Sequence, residues 1–171
     1  MIALPFIFIG YVGGTLYHGL RSDELWLLLD WVPIRGLSFA AILYFIFKWK
    51  KTWGRRIIFV ACIGLAFVGL RYLPIPRQLE HSIGYVISAL TILIPILGYL
   101  IKTKWRHARP AIIAFVVFGF AVLFRVLDKR LDFDFFWMGT HWLWHVFGGT
   151  AVFFILQYIY RDNKAQASDI S

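Results

Sequence analysis

Apolar residues run along this chain in six long stretches, at residues 2–20, 25–47, 56–73, 79–101, 110–127 and 138–160, while charged residues and prolines collect in the short links between them. A bilayer core of about 30 Å takes roughly 20 apolar residues of α-helix. The pattern therefore predicts six transmembrane helices. Lipid offers no water to satisfy exposed backbone groups, so only helices or closed barrels span it, and continuous runs of this length favour helices. No linker of domain length, low-complexity tract or strong repeat interrupts the pattern. The expected architecture is all-α: one multi-pass membrane helix bundle over residues 1–161, followed by a polar tail, 162–171, expected to be disordered.

Composition strengthens this reading. Hydrophobic residues make up 60% of the 171 and aromatics 19%, more apolar surface than a soluble domain of this size can bury. The opening MIALPFIFIG lacks the basic region of a signal peptide and precedes five further runs, so it reads as a retained first helix. Gly10, Gly13, Gly14, Gly64, Gly69, Gly148 and Gly149 are candidates for close helix approach. Pro33 and Pro95 each remove a helical hydrogen bond and are expected to kink their helices. Trp26, Trp31 and Trp137 fall toward one interface and Trp49, Trp53 and Trp105 toward the other, as in an aromatic belt. The single cysteine, Cys62, excludes an internal disulfide and reads as a small core residue.

A net charge of +9 invites a nucleic-acid reading, but the distribution of the charge argues against it. Lys48, Lys50, Lys51, Arg55 and Arg56 form one cluster and Lys102, Lys104, Arg106 and Arg109 another, both at links between apolar runs. With Arg161 and Lys164 they place eleven basic residues on one side, against six on the other: Arg21, Arg71, Arg77, Arg125, Lys129 and Arg130. The positive-inside rule then orients both termini to the cytoplasm.

Ionisable groups at membrane depth are costly, so each needs a partner or a task. His18 ends the first run, Asp30 falls early in the second, His81 opens the fourth, and His141 and His145 open the sixth. All lie in the outer half under this topology; His107 lies in a basic inner link and reads as a surface residue. His141 and His145, four residues apart, share one helix face. Together with His18 they offer three imidazole nitrogens, the donor set of a catalytic zinc with an open fourth position. Thiolates are absent from this group, which favours Zn2+ among metals. Separately, each residue has a plainer reading: hydrogen-bonded core histidines, an interfacial His18, and an Asp30 paired with Arg35 or capping backbone near Pro33.

The segments HGLRSDELWLLLDWVPI and THWLWHVFGG resemble the alkaline ceramidases and, more distantly, the progestin and adipoQ receptors, within the CREST superfamily of membrane hydrolases. The resemblance spans nearly the whole chain in order and topology, although the matching motifs are short. It implies that His18, His141 and His145 are zinc ligands, that Asp30 is the acid/base or water-orienting carboxylate, and that the six helices correspond to the last six of a seven-helix fold. Four features depart from the family. The six apolar runs are expected to lack a counterpart of the family's first helix. Gly14 stands where the family serine usually does, leaving Thr15, Tyr17 or Ser82 as candidate hydroxyls. No acidic N-terminal segment that would imply calcium control is present, and Trp31 replaces a common acidic neighbour of the aspartate.

Such a zinc site would activate water near neutral pH and polarise a carbonyl, with Asp30 transferring a proton and Thr15 donating to the developing oxyanion. The expected reaction is hydrolysis of the amide of ceramide or a related N-acyl lipid entering from the bilayer. The rival readings are a phospholipid or ester hydrolase using Arg71, Arg77 and Arg125, a receptor-like protein that keeps the metal without turnover, and a haem electron carrier. Histidines four apart on one face cannot be the two opposite axial ligands of a single haem, which weighs against the last.

Overall fold

The computed structural model describes residues 3–20, 23–70, 72, 77–127 and 141–168; for residues 67, 70, 77–89 and 141 it describes the backbone alone. The described residues are helical throughout apart from short turns, in six helices: α1 (Ala3–Leu20), α2 (Glu24–Trp49), α3 (Trp53–Leu70), α4 (Arg77–Lys102), α5 (Arg109–Leu127) and α6 (His141–Ser168). Among the described residues, four helices are long and apolar enough to cross a membrane: α1, α2, α5 and Trp142–Ser168 of α6. This is the make-up of a membrane protein. The polar tail expected from residue 162 is instead helical as far as Ser168, with Asp162 buried inside it. The chain divides into two compact units, residues 1–71 with 90–99, and residues 72–89 with 100–171.

In the first unit α1 and α2 form an antiparallel pair. Asp23 caps α2, its side chain accepting the Leu25 N–H at 2.9 Å, which satisfies one of the four donors that every helix start leaves open. The helices meet along small residues. A Cβ placed on Gly13 would come 2.5 Å from the Leu29 backbone carbon, one on Gly10 would meet Pro33 at 3.7 Å, and one on Gly36 would meet the Phe6 ring at 3.1 Å. Lipid tails are as apolar as leucine, so helix pairing in a membrane depends on close van der Waals contact, which these glycines permit. Farther along α2, Phe45 and Ile46 are fully buried, and Phe45 lies against Tyr99 with ring centroids 6.0 Å apart. Gly98 receives the face of Trp49 so closely that any side chain there would overlap the indole. By contrast, a Cβ on Gly64 or Gly69 would meet nothing among the described residues, and Cys62 is exposed rather than part of a core.

The α2–α3 corner is held by Arg56. Its Nε donates to the Lys50 carbonyl at 2.9 Å and its terminal nitrogen to the Phe47 carbonyl at 3.3 Å, satisfying acceptors that α2 leaves open at its C-terminus. The same guanidinium lies over Phe47 and Trp53, whose rings meet edge to face at 5.4 Å.

In the second unit α5 and α6 pack together through Phe124 and Phe147, stacked at 5.3 Å, Phe120 and Phe147 at 5.9 Å, and Phe118 and Trp144 at 6.4 Å. Ala111, Ala114 and Ala121 of α5 are buried. No neighbour among the described residues would meet a Cβ on Gly148 or Gly149, so close approach here uses alanines rather than the glycine pair. The α4 C-terminus closes with the Trp105 N–H bonded to the Leu100 carbonyl at 2.8 Å and the Lys104 N–H to the Ile101 carbonyl at 3.1 Å, the bonding of a Schellman motif. Lys104 takes the left-handed position usually given to glycine, with φ of 51°. From the same turn Arg106 reaches the buried carboxylate of Asp162 at 3.8 Å, which also accepts from Gln166 Nε2 at 2.6 Å.

Candidate metal and proton-transfer residues

The first unit brings two of the proposed residues together. His18 stands one turn beyond Gly14 on α1, on the same helix face, and Asp30 lies two turns into α2 opposite them. Asp30 is buried, with 9% of its surface exposed. A ring nitrogen of His18 and a carboxylate oxygen of Asp30 lie within 4.8 Å of each other. Burying a carboxylate in an apolar pair of helices costs several kcal/mol unless it has a partner, and the His18 imidazole stands close by without a direct hydrogen bond or ion pair to it among the described residues. Arg35, the other candidate partner, lies over the Trp31 ring at 4.3 Å. The His18 ring is itself packed edge-on against Tyr17 at 5.3 Å.

Gly14 explains how the carboxylate fits. A Cβ at this position would lie 2.7 Å from Asp30 Oδ1, inside van der Waals contact. The space beside Gly14 is therefore filled from the neighbouring helix by the aspartate. A serine here would compete with Asp30 for the same volume. Thr15, the nearest substitute, is exposed on α1, about 100° around the helix from Gly14, while Tyr17 is half-buried. The side chain of Ser82 lies outside the described residues.

In the second unit His145 is half-buried on the first turns of α6, one turn after His141, whose side chain lies outside the described residues. Trp142 is exposed and Trp144 packs on Phe118. His107 is exposed in the α4–α5 turn, as its place in a basic link predicts.

The donor types suit zinc: imidazole nitrogens and a carboxylate oxygen, with no thiolate among them. An imidazole and a carboxylate this close can share one ion, or the carboxylate can orient the imidazole that holds it. Either arrangement leaves a carboxylate within reach of a proton released at the site.

Sequence reasoning did not anticipate Gly36, Gly98 or the buried Asp162. Gly36 and Gly98 carried a usable signal, since each is a small residue within a turn of an in-helix proline. Asp162 carried a weaker one, its spacing of four from Gln166. No protein-family model, curated protein or solved structure matches this chain.

Proposed function

We propose that this protein is a zinc-dependent membrane hydrolase similar to the alkaline ceramidases, cleaving the amide of ceramide or a related N-acyl lipid. The observation that carries the reading is the buried Asp30 carboxylate set within 4.8 Å of His18, in two helices apolar enough to cross a bilayer. An acid and an imidazole held near each other at membrane depth are expensive to keep, and such groups mark functional sites.

His18, His141 and His145 would hold the ion, and zinc bound there would supply an activated water near neutral pH and polarise the acyl carbonyl. Asp30 accepts the proton of the attacking water and returns it to the leaving amine, a role worth roughly 10²- to 10⁴-fold in rate. Thr15 donates its hydroxyl hydrogen to the oxygen that gains charge as the carbonyl is attacked. The apolar helices exclude bulk water and admit a substrate from the lipid phase, head group toward the extracytoplasmic interface. Positive-inside asymmetry supports an orientation with both termini in the cytoplasm.

The test is zinc content measured on the purified protein alongside ceramide hydrolysis, for the wild type, His145→Ala and Asp30→Ala. One zinc per chain with turnover is expected for the wild type, loss of both for His145→Ala, and zinc without turnover for Asp30→Ala. A wild-type protein without zinc rejects the metal site, and full activity in Asp30→Ala rejects the role of the carboxylate.

A further inference from the structure

Five cations, Lys48, Lys50, Lys51, Arg55 and Arg56, fall within nine residues at the α2–α3 corner. The acids in the sequence of that unit are Asp23, Glu24 and Asp30, all at the opposite end of α2. Lys48 follows Asp30 by 18 residues of continuous helix, about 27 Å at a rise of 1.5 Å per residue. That is close to the ~30 Å thickness of a bilayer's hydrocarbon core and far beyond ion-pairing distance, so these acids do not neutralise the cluster.

Three of the five cations are engaged within the corner. Arg56 closes the α2 carbonyls, Lys50 Nζ lies 3.4 Å from the Trp49 ring centroid, and Lys48 lies 5.6 Å from that of Tyr44. Lys51 and Arg55 are exposed, and no described residue forms an ion pair or hydrogen bond with either. Arg55 stands in the first turn of α3, where the helix dipole already repels a cation. Beside them Trp53 is 65% exposed, although its ring is held by Phe47 and Arg56, and Ile57 and Ile58 are each 64% exposed. Cations flanked by a fixed, exposed indole and exposed aliphatic side chains suit a bilayer interface, where the available countercharge is phosphate.

We propose that Lys51 and Arg55, framed by Trp53, bind the phosphate of an anionic phospholipid head group. The contact lies at the end of α2 away from Asp30 and does not depend on the hydrolase reading. Each basic residue near an anionic surface contributes roughly fivefold to association.

The full-length protein, reconstituted in phosphatidylcholine bilayers with a trace of spin-labelled phosphatidylglycerol or spin-labelled phosphatidylcholine, reports the preference as motionally restricted lipid. The wild type is expected to favour phosphatidylglycerol about fivefold or more, and to lose the preference as sodium chloride is raised to about 1 M. The double variant Lys51→Gln/Arg55→Gln loses most of it, each single variant loses part, and the charge-conserving Lys51→Arg/Arg55→Lys retains it. Arg161→Gln/Lys164→Gln, which removes the same charge from the C-terminal end of α6, also retains it. Equal restriction of both probes by the wild type overturns the proposal. So does full preference in the double variant, an equal loss in the α6 variant, or displacement of the lipid by inorganic phosphate at constant ionic strength.

Discussion

The carboxylate of Asp30 lies in the space into which a side chain on Gly14 would project, with Oδ1 2.7 Å from the position of a Cβ there. One residue earlier, the space beside Gly13 is filled by the α2 backbone at Leu29 and Asp30. The two glycines therefore face obstacles of different stiffness, a rotatable carboxylate and a rigid main chain.

Gly13→Ala is accordingly expected to destabilise the protein more than Gly14→Ala. Overpacking costs typically about 1–3 kcal/mol, and Gly13→Ala belongs at the upper end because α1 must move away from α2 to relieve it. Gly64→Ala and Gly148→Ala, which meet no neighbour among the described residues, are expected to be neutral or slightly stabilising through helix propensity. Thermal unfolding of the four variants in one detergent ranks them, and equal losses at all four positions contradict the α1–α2 contact.

Gly14→Ser separates packing from chemistry, because it restores the residue type usual in the resembling family while crowding Asp30. The expected result is retained zinc and a loss of hydrolysis beyond that of Gly14→Ala. A gain in activity would show that a serine at this position works beside the aspartate rather than displacing it.

Asp30→Asn keeps the volume of the side chain and removes its ability to take a proton. Hydrolysis is expected to fall by roughly 10²- to 10⁴-fold with zinc content and melting temperature little changed. Loss of zinc along with activity would move Asp30 into the set of metal ligands.

Lys104 holds a left-handed backbone, φ 51°, at the Schellman position that ends α4. A non-glycine residue there costs about 1–2 kcal/mol, so Lys104→Gly is expected to stabilise the turn by up to about 1 kcal/mol. Asp162→Ala acts in the opposite sense: it removes the carboxylate that Arg106 and Gln166 share, at a cost of about 1–3 kcal/mol. Limited trypsin cleavage after Arg106, a site that both variants keep, reads both effects, slower in the first variant and faster in the second.

The proposed orientation predicts that single cysteines introduced at Lys51 and Lys104, in a Cys62→Ser background, react with a membrane-impermeant maleimide from the cytoplasmic side only. Labelling of either from outside reverses the assignment drawn from the basic residues.

Six helices were legible in the spacing of apolar residues because a chain in lipid must satisfy its own backbone hydrogen bonds, which leaves long apolar runs little choice of structure. The end of α6 was not legible by this means. Residues 162–168 are polar, and they stay helical in company with Arg106, which lies 56 positions earlier than Asp162 in the chain. The glycines divide in the same way. All looked equally suited to close contact, yet Gly10, Gly13 and Gly14 meet α2 while Gly64, Gly69, Gly148 and Gly149 face open space among the described residues.

For the candidate site, the sequence by itself determined the residue types, two imidazoles one turn apart and an aspartate just inside α2, because helical periodicity and the cost of charge in lipid are local properties. The tertiary structure alone decided that His18 and Asp30 lie within 4.8 Å of each other, that Arg35 turns to Trp31, and that the space beside Gly14 is taken by a carboxylate. Periodicity specifies which residues share a face of one helix. Which face of another helix lies opposite depends on how closely two backbones can approach, and that was settled by the absence of side chains at Gly13 and Gly14.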